Sequence, residues 1–114
     1  MSAAAEAKRW YWQRISAMVL ALCVVAHIAI MIYAVRGGLS AAEILGRTRG
    51  SVPFAVFYSV FVLACAVHVP IGVARIAEEW LRFDRVLALA LARLFGITIA
   101  FLGLRAVVAV VAGA

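Results

Sequence analysis

Charge is scarce in this 114-residue chain: Asp, Glu, Lys and Arg make up 14% of it, against about a quarter in an ordinary soluble domain. Only five residues are acidic, while apolar residues reach 68%. These shortages exclude a compact water-soluble domain, and equally a disordered chain, which carries many charges and few apolar groups. Proline and cysteine number two each. Cys23 and Cys65 both lie in apolar stretches without C-x-x-C spacing, so they read as small apolar fillers rather than a disulfide framework or thiolate metal site. The net charge of +6 comes from scattered residues, with no dense basic face of the kind nucleic acid requires. There is no nucleophile–base pair and no phosphate loop. The length leaves no room for a soluble catalytic domain beside membrane spans.

What the chain does have is three long apolar runs. Ile15–Val35 carries no charge at all; the second run, from Val52, contains Pro53, Pro70 and His68; the third, from Val86, is interrupted by Arg93 and Arg105. None alternates like a barrel strand, and only helices or closed barrels satisfy the backbone in lipid. The pattern predicts an all-α integral membrane protein, a single membrane domain over residues 1–114. Its helices are expected at about 15–35, 52–76 and 86–112, after a cytoplasmic N-terminal segment, 1–14. That segment is polar, and the run behind it is too long for a signal-peptide core. The connections are a Gly- and Ser-rich stretch, Arg36–Ser51, and a short charged turn, Ala77–Arg85. Three spans put Lys8, Arg9, Arg14, Arg75, Arg82 and Arg85 on one side and Arg36, Arg47 and Arg49 on the other. The excess of basic residues predicts a cytoplasmic N-terminus.

Ionisable groups inside a span are rare and usually functional. His27 lies thirteen residues beyond Arg14, or roughly 20 Å at ~1.5 Å per residue. His68 lies seven residues before Arg75, or roughly 10 Å by the same rise. The expected offset of about 10 Å matters, because two axial histidines of one haem must lie at nearly equal depth. Each histidine would then need a partner from another chain, or only one would ligate; either can also simply hydrogen-bond a neighbouring helix. Arg93 is expected near the depth of His68, where a guanidinium can hold a haem propionate. Arg105, nearer the end of the third run, is expected to snorkel to the interface. Arg14 and Ser16, at the start of the first span, offer donors to the carbonyl oxygen of a small lipid-soluble ring.

Gln13-Arg14-Ile15-Ser16 with His27 beyond it, then Phe57-Tyr58, His68, Gly72 and Arg75, and finally Gly103-Leu104-Arg105, form an ordered set. It resembles the cytochrome b membrane anchors of succinate dehydrogenase and fumarate reductase. The resemblance implies an anchor in the bacterial cytoplasmic membrane that binds haem b and exchanges electrons with a quinone. It also implies a flavoprotein and an iron–sulfur protein as soluble partners. By position, His68 matches the haem ligand of the second helix and His27 the first-helix ligand of two-haem members, while Arg14 and Ser16 match residues lining the quinone pocket. The chain resembles one half of the five-helix members, so a second copy or a similar anchor subunit must complete the bundle and the ligand set. Two other classes compete: a small oligomeric transporter and a cofactor-free assembly subunit. All five acids, Glu6, Glu43, Glu78, Glu79 and Asp84, fall outside the runs, which argues against a carboxylate-driven antiporter.

Overall fold

A computed structural model of the chain describes residues 2–113, which form four helices and no strand. Helix α1 (Ala3–Gly37) begins where the Ser2 hydroxyl accepts the Ala5 N–H at 3.2 Å. It ends at Gly38, whose φ of +112° suits glycine. The polar segment before Ile15 is thus a helical extension of the first span. Helix α2 (Ala41–Thr48) lies in the connection that reads as an irregular Gly/Ser-rich loop, and Ser40 caps it by accepting the Glu43 N–H at 3.2 Å. Ser40-Ala41-Ala42-Glu43 has capping-box spacing, the local signal for this helix. Helix α3 (Val52–Glu79) is capped by Ser51, has Pro53 in its first turn and Pro70 in its interior. Helix α4 (Arg85–Ala112) starts at Asp84, which accepts the Leu87 N–H at 2.8 Å. Between α3 and α4 the chain reverses in a few residues, with Arg82 left-handed at φ +56° and the Phe83 N–H donating to the Ala77 carbonyl at 2.9 Å.

Three helices, α1, α3 and α4, are long and apolar enough to cross a membrane, and the chain has the build of an integral membrane protein. The molecule is a rod of 49 × 24 × 23 Å. Helix α3 is central, antiparallel to α1 on one flank and to α4 on the other. The α3–α4 seam is made of small residues: Ala74, Ala77, Ala88 and Ala92 are all buried. A Cβ on Gly96 would stand 2.6 Å from Pro70 Cγ, and one on Gly103 would stand 2.5 Å from Val62 Cγ1. Small residues allow this close approach, which is how helices associate where lipid removes the hydrophobic drive. Helix α2 closes the far end. Thr48 Oγ1 donates to the Val110 carbonyl and the Gly50 N–H to the Val111 carbonyl, both at 2.7 Å. These bonds serve carbonyls that the end of α4 leaves without helical partners. Few large side chains are buried; Leu22, Val25, Ile97 and Phe101 are all exposed, as lipid-facing positions should be.

Candidate functional site

The seam between α1 and α3 is built differently. Along α1 the covered positions recur at Gln13, Ser16, Leu20, Cys23, His27, Ile30 and Ala34. This alternating three–four spacing keeps one stripe facing a partner helix. Four of those seven side chains carry N, O or S. Opposite them on α3 stand Tyr58, Phe61, Cys65, His68 and Gly72, again three or four apart. Polar groups therefore meet along one line inside an otherwise apolar bundle.

The contacts fix the register. Ser16 Oγ lies 3.3 Å from His68 Nδ1, and the Tyr58 hydroxyl lies 3.5 Å from His27 Nδ1. The His27 ring also meets the Phe61 ring edge-on, with centroids 5.6 Å apart. The two histidines are thus ten residues apart along α3, since His27 sits opposite Tyr58, or about 15 Å in depth. This corrects the expected offset of about 10 Å. The expectation measures each histidine from a different arginine, whereas His68 faces Ser16, only two residues beyond Arg14. His27 and His68 are not brought together, and no group of three or more His, Cys, Asp or Glu side chains gathers among the described residues.

Ser16 Oγ stands between two groups: it lies 3.2 Å from the Gln13 carbonyl, to which it can donate its single proton, and 3.3 Å from His68 Nδ1. With that proton on the Gln13 carbonyl, the Ser16 oxygen accepts from a proton on Nδ1, the tautomer that leaves the Nε2 lone pair bare. This is the form that ligates a metal, with the second nitrogen held by a hydrogen bond. His27 has no such flanking acceptor beside its Tyr58 contact among the described residues. The Tyr58 hydroxyl keeps its own proton and can donate to Nδ1 or accept from it. Beside these contacts, Gln13 Oε1 is buried without a hydrogen-bond partner.

Two neighbouring grooves, with Trp12 and Val67 in the walls of both, lie along this seam. One, of about 260 Å³, is walled by Trp12, Ile15, Ser16, Val60, Leu63 and Val67, among others, with Ser16 the sole polar residue in its wall. The next, of about 430 Å³, shares Trp12 and Val67 and opens between Lys8 and Arg9. Together they make an apolar trough with a basic mouth. Lys8, Arg9 and Trp12 belong to it although the sequence pattern does not single them out as site residues; the signal is the helical continuation of α1 through that segment. Arg14 does not line it. Two residues along a helix point to different sides, and the Arg14 guanidinium lies 5.4 Å over the Trp10 ring instead.

Arg93 is exposed on α4, outside the α1–α3 seam, and makes no ion pair within the described residues. Nearer the same end of the bundle, Glu6 bridges Arg9 and Arg75 at 3.8 and 3.9 Å, and Arg75 also reaches Glu79 at 3.7 Å. Of these, only the exposed Glu6–Arg75 pair joins the end of α1 to that of α3, and it does so weakly.

No protein-family model matches this chain, and neither a curated protein nor a solved structure matches it.

Proposed function

We propose that this chain is a membrane anchor of the succinate dehydrogenase/fumarate reductase type, holding haem b and a quinone beside soluble electron-transfer subunits. The observation that carries the reading is the line of contacts from His68 Nδ1 to Ser16 Oγ and on to the Gln13 carbonyl. With the Nδ1 proton held there, Nε2 would be free to ligate, inside a span and beside an apolar trough. The ordered motif that resembles this family supplies the rest. Haem b, when bound, takes up and gives back one electron at its iron.

Each part of the chain has a role in this reading. His68 would offer Nε2 to the haem iron, and Ser16 would keep its ring in place. His27, about 15 Å away in depth, would serve a second haem or none. Any further ligand to the His68 haem would come from a second anchor subunit or a second copy of this chain. The trough takes the quinone, its apolar walls covering the ring and tail while Lys8 and Arg9 offer donors to a carbonyl oxygen at the mouth. Arg93, on the same end of the bundle, suits a haem propionate presented from outside the chain. The N-terminal end faces the cytoplasm of a bacterium, where the iron–sulfur and flavoprotein subunits dock on the basic ends of α1 and α3.

The test is the optical spectrum of the complex purified with this chain from its native membrane. A reducible b-type spectrum is expected. His68→Ala should abolish it, and His27→Ala should halve the haem-to-flavin ratio if two haems are present and leave it unchanged if one is. A colourless complex that still reduces quinone would overturn the haem assignment.

A further inference from the structure

Arg105 does not sit where a snorkelling residue should. Gly103 packs on Val62 and Gly96 on Pro70, so Arg105 is level with about residue 60 of α3. By the pairing of His27 with Tyr58, that level corresponds to about residue 25 of α1. The charge-free stretch of α1 runs between Arg14 and Arg36, which places Arg105 about 16 Å from either end. That is the middle of a hydrocarbon core about 30 Å thick.

Its direction is wrong for escape as well. Side chains lean toward the N-terminus of their helix, and for Arg105 this is away from the nearer end of α4. Arg93 is the contrasting case, since the same lean carries it toward the charged layer of Glu6, Arg9 and Arg75. Arg105 also points away from α3, two residues past Gly103, on a stripe with Leu94, Ile97, Phe101 and Val108. That stripe is exposed; Phe101 is 65% and Ile97 is 70% accessible. Arg105 makes no hydrogen bond, ion pair or ring contact among the described residues. A guanidinium at this depth needs an acceptor.

We infer that the outer stripe of α4 docks against a membrane-spanning helix of a different chain, which presents an aspartate or glutamate to Arg105. Charge complementarity selects the occupant. All five carboxylates of this chain, Glu6, Glu43, Glu78, Glu79 and Asp84, lie at helix ends or in α2. A second copy would bring none of them to mid-span, in either orientation. The mid-span hydroxyls it would bring, on Tyr58, Ser59 and Thr98, can accept a hydrogen bond but carry no charge to neutralise the guanidinium. The inference needs neither haem nor quinone, and a colourless complex would leave it standing.

Photocrosslinking in the native membrane tests it, with a photoreactive residue replacing Phe101 or Val108 in the full chain and the attached peptide mapped by mass spectrometry. The expected adduct is a peptide from a different membrane protein, with an acidic residue inside an apolar run. Arg105→Glu should reduce adduct yield at least about tenfold, as breaking a desolvated ion pair does, and reversing the partner's acid to arginine should restore it. Arg105→Met, which keeps volume and suits lipid, should lower the yield without impairing insertion. Adducts to lipid alone, to a second copy of this chain, or to a segment without an acidic residue would overturn the inference. So would an Arg105→Met adduct of unchanged yield accompanied by an altered haem spectrum, since that would assign the guanidinium to a propionate.

Discussion

Helix α3 has two seams, and they solve the problem of association in lipid in opposite ways. Toward α4 it presents Ala74, Ala77, Val62 and the Pro70 ring to Ala88, Ala92, Gly96 and Gly103. No side-chain hydrogen bond joins the two helices among the described residues, and contact distance does the holding. Toward α1 it presents Tyr58, Cys65 and His68 to Cys23, His27 and Ser16, with hydroxyl–imidazole contacts of 3.3 and 3.5 Å. The first seam is dense and chemically silent. The second is polar and costly to bury, yet interhelical hydrogen bonds in membranes contribute only about 0.6 kcal/mol on average. A polar seam of that kind is a poor means of fastening helices and a good means of orienting imidazoles. The difference separates the seam that holds the molecule together from the seam on which the proposed haem site rests.

The difference can be broken most sharply on the dense side. Gly103→Leu places a branched side chain where even a Cβ would stand 2.5 Å from Val62 Cγ1. Overpacking of this sort costs about 1–3 kcal/mol or more, and here there is no slack, because both contact atoms belong to a stiff β-branched residue. Unfolding in mixed detergent micelles, followed by helical circular dichroism, should show a larger loss than any substitution in the polar seam. The α1–α3 contacts should survive it. If Gly103→Leu matched the parent, the close approach of α3 and α4 would be wrong.

Ser16→Ala comes next. It removes the hydroxyl beside His68 Nδ1, leaving that nitrogen in a part-buried seam without its partner, at a cost of about 1–2 kcal/mol. Its distinctive readout is not stability. With the hydroxyl gone, the proton on His68 is free to move to Nε2, and nitrogen-15 shifts of the imidazole should show both tautomers in place of one. Tyr58→Phe should do less. The Tyr58–His27 contact, at 3.5 Å, is at the limit of a hydrogen bond, and its loss is expected to cost about 0.5 kcal/mol. An effect of Tyr58→Phe larger than that of Ser16→Ala would reverse the ranking of the two histidines.

How much of this is legible from residue order is best seen residue by residue. Three apolar helices are legible because lipid imposes one length and one hydrogen-bonding solution on any span. His27 and His68 stand out because ionisable groups are rare there. Their depths are not legible, since counting from the nearest arginine on each helix uses two different origins, and the true scale is the pairing of Ser16 with His68. Arg14 and Ser16, two apart on a helix, are separated by roughly 200°, and only the structure shows Arg14 over the Trp10 ring. Counting along a single helix puts Arg105 near the end of its run. Only the packing of Gly103 on Val62 shows that the far ends of α1 and α4 are not level. Helix α2 is hidden because glycine and serine flank it, although the Ser40–Glu43 capping box is in plain sight.

Gly72 gives the smallest expected effect and the finest test of the contrast. It belongs to the polar seam, one turn past His68, and a Cβ there would meet only Gln13 Nε2, at 3.6 Å. That is ordinary van der Waals contact with the end of a flexible side chain. Gly72→Ala should therefore be tolerated, with stability within about 1 kcal/mol of the parent, because the helix gains in backbone entropy what the seam loses in fit. The same substitution at Gly96 meets the Pro70 ring at 2.6 Å and should be clearly destabilising. Identical chemistry on opposite flanks of α3 would then have clearly different effects, measured in one unfolding experiment. If Gly72→Ala instead removed a bound haem while leaving the fold intact, the space beside Gln13 would be reserved for a flat ring. The polar seam would then be the wall of the haem site, with Gln13 Nε2 facing that space.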